Sequence, residues 1–126
     1  MTDVTTDPTV NTVTWWEIPV QDLAKARDFY TAVFGWGYTS FGEGYDAILV
    51  GEQMIGALSE SADGAGEGIR FYVQVADMEE VFAKVEANGG SITSPRTEIG
   101  GDMGWWGSFA DAQGRVIGVA TNHPAA

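Results

Sequence analysis

The sequence contains no cysteine, one histidine, and only six lysines and arginines against eighteen acidic residues. Without cysteine there is no disulfide framework, no thiol nucleophile and no thiolate metal site. The single histidine, His123, lies in a C-terminal Asn-His-Pro-Ala-Ala segment, so no serine–histidine–aspartate set can be assembled. The shortage of basic residues leaves a formal net charge of −12 and no basic patch. Such a chain repels nucleic acid and anionic lipid, and neither is expected as a partner. No apolar run reaches the roughly 18 residues that a membrane span requires. The opening MTDVTTDPTV has neither a basic nor an apolar region, so no secretory signal is read there and a cytoplasmic protein is expected. No glycine-rich turn opens a helix after a strand, which removes the dinucleotide fingerprint.

What remains is a chain of 126 residues, 44% hydrophobic and 19% charged, with five tryptophans. That length suits one globular domain with a real core. Residues 1–11 lack periodicity and read as a disordered tail. Thr12 to Val20 is rich in β-branched and aromatic residues and predicts a strand. Asp22 then offers an N-cap, and Leu23, Ala26, Phe29, Tyr30 and Val33 recur at helical spacing until Gly35. Three short strands follow, over 36–41, 45–50 and 53–60, separated by glycines.

The stretch 61–68 (SADGAGEG) reads as a linker, and then the pattern returns. A strand is expected over 69–75. Asp77 caps a helix carrying Met78, Val81, Phe82 and Val85, and Gly89-Gly90 ends it. Strands over 91–99, 105–110 and 115–121 complete the second round, the last two joined by the tight turn Asp111-Ala-Gln-Gly114. The chain thus reads β-α-β-β-β twice, with Asp22 and Asp77 at matching junctions. A unit of this length present only twice is a duplicated module rather than a solenoid. The fold class expected is α+β: two tandem βαβββ modules forming a cup-shaped mixed sheet. Module one spans 12–60 and module two 69–122, within a single domain at 12–122.

The string VTWWEIPVQDLAKARDFYTAVFGW resembles the opening of a vicinal-oxygen-chelate module (the glyoxalase and bleomycin-resistance type), with Asp22, Phe29-Tyr30 and Phe34-Gly35 in the family's positions. VQVADMEEVFAKVEANGG resembles the second module's opening. SFADAQGRVIGV resembles its closing hairpin, although Ala112 stands where the family usually has proline. The resemblance covers roughly 12–121. It implies a homodimer, and it leaves the reaction open, because this fold hosts isomerases, lyases, dioxygenases and antibiotic-binding proteins.

The resemblance also implies four metal-ligand positions in catalytic members. Counted along this chain they fall on Trp15, Arg70, Gly118 and, less tightly aligned, near Ala57, with Glu60 a neighbouring carboxylate. Tryptophan and arginine offer a cation no lone pair. No metal and no cofactor is expected.

Strand alternation sorts the remaining candidates. Trp16, Ile18 and Val20 should pack under the first helix, and Phe71, Val73 and Val75 under the second. Trp15 and Glu17, with Arg70, Tyr72 and Gln74, should face the cavity, Glu17 pairing with Arg70. Trp36 is expected in the core. Of the neighbours Trp105 and Trp106, after the glycine-flanked loop Ile99–Gly104, one should face the ligand. Glu17 and Arg70 are the catalytic candidates; Asp46, Glu98 and Asp102 are further possible bases. Three functions stay open: a metal-independent protein binding an aromatic drug or natural product, a metal-independent enzyme using Glu17 and Arg70, and a metal-dependent enzyme of the wider family.

Overall fold

The computed structural model describes residues 8–62 and 68–125. Residues 1–7 of the tail expected at 1–11, and the centre of the linker, 63–67, lie outside the described residues. Two compact units emerge, one made of 15–70 and the other of 71–126 with 1–14.

The first unit holds β1 (Val13–Val20, from Trp15 onward), α1 (Leu23–Phe34), β2 (Gly37–Ser40), β3 (Tyr45–Val50) and β4 (Gln53–Glu60). Its strands run in the order β2-β3-β4-β1, with β1 parallel to β4 and the others antiparallel. The helix begins where the sequence places it. Asp22 is extended (φ −129°), and its carboxylate accepts the Lys25 N–H at 3.0 Å. Glu60 on β4 accepts the Leu23 N–H at 3.2 Å, so two carboxylates serve the first turn. Gly35 ends the helix at φ +73°, a conformation that penalises any residue with a Cβ, and its N–H closes onto the Thr31 carbonyl.

The register assigns the faces. Glu17 lies opposite Ala57, Ala47 opposite Ala57, and Tyr45 opposite Ser59. Trp15, Glu17, Tyr45, Ala47 and Ala57 therefore share one face, and Trp16, Ile18, Asp46, Ile48, Gly56 and Leu58 share the other. Ile48 and Leu58 are fully buried on that second face, each worth about 1.5–3 kcal/mol of burial. Trp16 lies flat on Gly56, where a Cβ would come within 2.7 Å of the indole. Its ring centroid is 6.0 Å from that of Trp36, which in turn stacks on Tyr30 and Phe34 of α1 at 5.2 and 5.0 Å. Trp16 thus lies on the helix side, as the alternation predicts, and Trp36, expected in the core, is half-buried among the same rings. Phe29, Val33 and Phe34 of α1 nevertheless remain exposed, although Phe29 and Val33 belong to the apolar spacing that predicts the helix.

The second unit holds β5 (Arg70–Gln74, Arg70 counting with the first unit), α2 (Met78–Ala87), β6 (Ser91–Glu98), β7 (Trp105–Ala110) and β8 (Val116–Thr121). The order is β5-β8-β7-β6, and β5 is parallel to β8. Asp77 repeats the cap of Asp22, accepting the Glu80 N–H at 3.0 Å. Val75, Met78 and Val119 form the core, with Val73, Val81, Phe82, Trp105 and Phe109 packed around it. Phe71 departs from the expected pattern: it shares their parity but is 47% exposed at the strand's beginning. The closing turn forms as read, Asp111 Oδ1 accepting from the backbone of Gln113 and Arg115.

The expected tail at 1–11 needs correction over its last residues. Pro8–Asn11 forms a turn, the Asn11 N–H donates to the Gln74 carbonyl at 2.7 Å, and the Gln74 N–H returns a bond to Thr12. Backbone pairing to β5 orders this segment, a long-range contact that local composition does not report.

Arg96 on β6 ties this unit together. It donates to both Glu79 carboxylate oxygens at 2.7 and 2.8 Å and to the His123 carbonyl at 3.0 Å, with its guanidinium 5.0 Å from the centroid of the Trp105 ring. The hydrogen bonds from Arg96 hold the Glu79 carboxyl below its ordinary value. A depressed carboxylate contributes stability that is present above the unfolded-state pKa and lost as pH falls through the folded-state value. The melting temperature should therefore drop on acidification through the carboxylate range, and Glu79→Gln should shrink that drop. Thermal melts of both proteins against pH read the difference, and identical profiles would exclude Glu79 as a contributor.

Candidate functional site

On the face of the first unit away from α1, three side chains form a hydrogen-bonded chain. The Trp15 indole N–H donates to the Tyr45 hydroxyl at 2.9 Å, and that hydroxyl donates to Glu17 Oε2 at 2.6 Å. All three residues are half-buried. The short phenol–carboxylate bond is charge-assisted, and the Trp15 bond fixes the plane of the indole. Residues fifteen and seventeen share this face because the strand repeats every two residues. Tyr45 joins them because β3 runs antiparallel to β4, which brings its first residue beside the end of β1.

Tyr45 is the site residue that sequence reasoning missed. Alternation in YDAILV separates Tyr45 from Asp46, but only the cross-strand register shows which side meets Glu17. The Tyr45 hydroxyl is a partner of Glu17 that the expected Glu17–Arg70 ion pair left out of account. Ion pairs among the described residues include Arg27–Asp46, Lys84–Glu80 and Arg96–Glu79. A neutral hydroxyl meets the carboxylate without the cost of desolvating a second charge. Arg70 itself is half-buried at the start of β5.

Asp46, one of the possible bases, is committed elsewhere. It is 5% exposed on the α1 side and bound by Arg27 at 2.5 Å, a bond that holds the guanidinium more firmly protonated. Glu98 and Asp102 are exposed in and beside the 99–104 loop, where Asp102 adopts φ +60°.

In the second unit, Tyr72 lies opposite Gly118, Gln74 and Trp106 lie opposite Ala120, and Ser108 lies opposite Gly118. Tyr72, Gln74, Trp106 and Ser108 therefore share the face away from α2. Trp105 is on the other side, against the α2 core and under Arg96. Of the two adjacent tryptophans, Trp106 is the one on the face away from α2. Ser108 is held by Thr93, hydroxyl to hydroxyl, at 2.6 Å.

The registers of the two units also align the implied metal positions. The spacing that separates Asp22 from Asp77 also separates Glu17 from Tyr72, and their strand partners are Ala57 and Gly118. Ala57 and Gly118 are therefore equivalent, and the loosely aligned fourth position is Ala57. Glu60 is three residues further on, on the opposite face, spent on the first turn of α1. At Gly118 even a methyl group is excluded, since a Cβ there would come within 2.3 Å of the Tyr72 ring. Trp15, Ala57, Arg70 and Gly118 do not fit a divalent metal. Among the described residues no three histidine, cysteine, aspartate or glutamate side chains converge as a metal set.

Two βαβββ units, each with β1-type and β4-type strands parallel and a capped helix on one face, define the α+β vicinal-oxygen-chelate class. The sequence profile of the Glyoxalase/Bleomycin resistance protein/Dioxygenase superfamily matches residues 9–119, and the chain belongs to that superfamily. It is 30% identical over 117 residues to the protein named "Putative glyoxylase CFP32" in Mycobacterium tuberculosis and Mycobacterium bovis, covering 86% of this chain but 44% of that protein. The chain thus spans less than half the length of these relatives. Its structure is similar to the Mn(II)-bound glyoxalase from Novosphingobium aromaticivorans (TM-score 0.63, 18% identity, 90% of this chain and 40% of that one). It is also similar to a superfamily member from Vibrio splendidus 12B01 (TM-score 0.61, 15% identity, 84% and 95%). At these identities the structural likeness concerns the fold.

Proposed function

We propose that this chain is a metal-independent binding protein for a flat aromatic small molecule, of the kind that sequesters a drug or natural product. The Trp15–Tyr45–Glu17 chain carries the reading. It sets an indole in a fixed plane, with a phenol and a carboxylate beside it, on the face where catalytic relatives would present a ligand from position fifteen. Aromatic walls with a few placed polar groups suit a flat ligand held by its faces and oriented by its edge. Tyr72, Gln74 and Trp106 give the second unit a comparable face, and Arg70 stays a candidate contact. The protein is proposed to act in the cytoplasm as a homodimer. No described helix is long and apolar enough to cross a membrane.

Titration with a panel of aromatic compounds, after treatment with a chelator, should quench tryptophan fluorescence, and Trp15→Phe should remove most of the quenching. Native mass spectrometry of the same samples should show the dimer with ligand and without metal. Absence of quenching by every compound would count against a binding role.

A second reading is favoured by the 2.6 Å Tyr45–Glu17 bond: a metal-independent enzyme of the glyoxalase-like lyase or isomerase type, with Glu17 moving a proton and Arg70 polarising a carbonyl. Under that reading Glu17→Gln abolishes turnover of a carbonyl substrate and retains binding. Unchanged turnover would remove Glu17 from the chemistry.

A further inference from the structure

We infer that the ligand held at Trp15, Tyr45 and Glu17 carries a positive charge beside its aromatic ring: a protonated amine, an amidinium or a quaternary ammonium group. This inference rests on the proposed binding role and specifies its ligand.

The composition of the cluster gives the sign. Of the three side chains, Glu17 carries the charge and the other two are aromatic. An aromatic face carries negative potential and attracts a cation, with indole the strongest of the protein rings. The Tyr45 hydroxyl donates its proton to Glu17 at 2.6 Å, which pushes electron density into the phenol ring and deepens the potential over its face. A cation next to this group gains attraction from the carboxylate and from both rings. A neutral ligand gains only stacking, and an anion meets repulsion from all three.

Two further features agree. The half-burial of Trp15, Glu17 and Tyr45 lowers the screening that weakens exposed charges, so the sign of the ligand has a large effect. The net charge of −12 supplies a field that draws cations to the surface and slows the approach of anions. Arg27 is held by Asp46 on the α1 side of the sheet, and Arg70, the other cation considered as a contact, takes no part in the hydrogen bonds that join the three side chains.

Benzylammonium, benzyl alcohol and benzoate form a test series of one ring and three charges. Binding is followed through the indole N–H resonances of protein labelled with heavy nitrogen, assigned by tryptophan substitution. Benzylammonium should move the Trp15 resonance and bind about tenfold tighter than benzyl alcohol, the ratio expected of a cation–π contact with a nearby carboxylate. Glu17→Gln should reduce that ratio toward one while the Trp16 and Trp36 resonances stay in place as a check on folding. Equal binding of the three probes at Trp15, or a ratio unchanged in Glu17→Gln, would overturn the charge inference and leave the aromatic-binding role standing. Tighter binding of benzoate would overturn it in favour of an Arg70-centred site. No response at Trp15 to any probe would overturn both.

Discussion

Gly118→Ala should destabilise the protein by about 2 kcal/mol, an unusually large effect for adding one methyl group to a strand. The cause is local. The Tyr72 ring lies directly against Gly118 across the parallel β5–β8 pair, and a Cβ at 118 would come within 2.3–2.7 Å of three ring carbons. Tyr72 is 7% exposed, so its ring has little room to retreat. Either the ring leaves its rotamer or the strands part. Pairing the mutation with Tyr72→Leu should recover much of the loss, because the smaller side chain clears the space, and such neighbours are expected to be strongly non-additive. Chemical denaturation of the two single variants and the double variant measures this coupling. Additive losses would mean that Tyr72 is not what excludes a side chain at 118. The same clash bears on function. Gly118→Glu, which introduces the type of residue that catalytic relatives use, should cost still more and should not create a metal site, since Trp15, Ala57 and Arg70 offer no other ligand.

The second large effect separates two adjacent tryptophans. Trp16→Ala should cost about 3 kcal/mol, since the indole fills the space over Gly56 and packs against Trp36 beneath α1. Trp15→Ala should cost much less, because it removes a half-buried ring and one hydrogen bond to Tyr45. The order reverses for ligand binding. Trp15→Ala should abolish quenching by aromatic compounds, while a folded fraction of Trp16→Ala should retain it. Urea unfolding and fluorescence titration of the two variants read both effects. Similar losses of stability, or binding lost only with Trp16, would mean that the faces of β1 are assigned the wrong way round.

Much of this architecture is legible in the sequence because its punctuation is local. Asp22 and Asp77 bond to amides three residues on, Gly35 ends a helix through its own φ, and Asp111 closes a turn onto Gln113 and Arg115. Alternation within a single strand likewise separates Trp15 from Trp16. Contacts set by register between distant strands are not legible. Tyr45 reaches Glu17 through the stacking of β3, β4 and β1, and nothing within either segment announces it. Trp105 and Trp106 must face opposite sides, but the choice depends on Arg96 and Glu79, which come from another strand and a helix. Opposite charges suggest Arg70 as the partner of Glu17, and the Tyr45 hydroxyl that donates to it comes from a strand that charge pairing does not consider. The matching partners of Glu17 and Tyr72 are also a register property, and they identify Ala57 as the fourth implied position.

The central claim is that an aromatic ligand is held beside Trp15 without a metal. It is tested most directly by following the five indole N–H resonances during titration of chelator-treated protein with an aromatic amine. The account predicts that the Trp15 resonance shifts with saturable dependence on ligand, that Trp16 and Trp36 do not respond, and that added manganese or zinc changes nothing. A Trp15 resonance that moves only after a divalent metal is restored, with one metal bound tightly per chain, would contradict it.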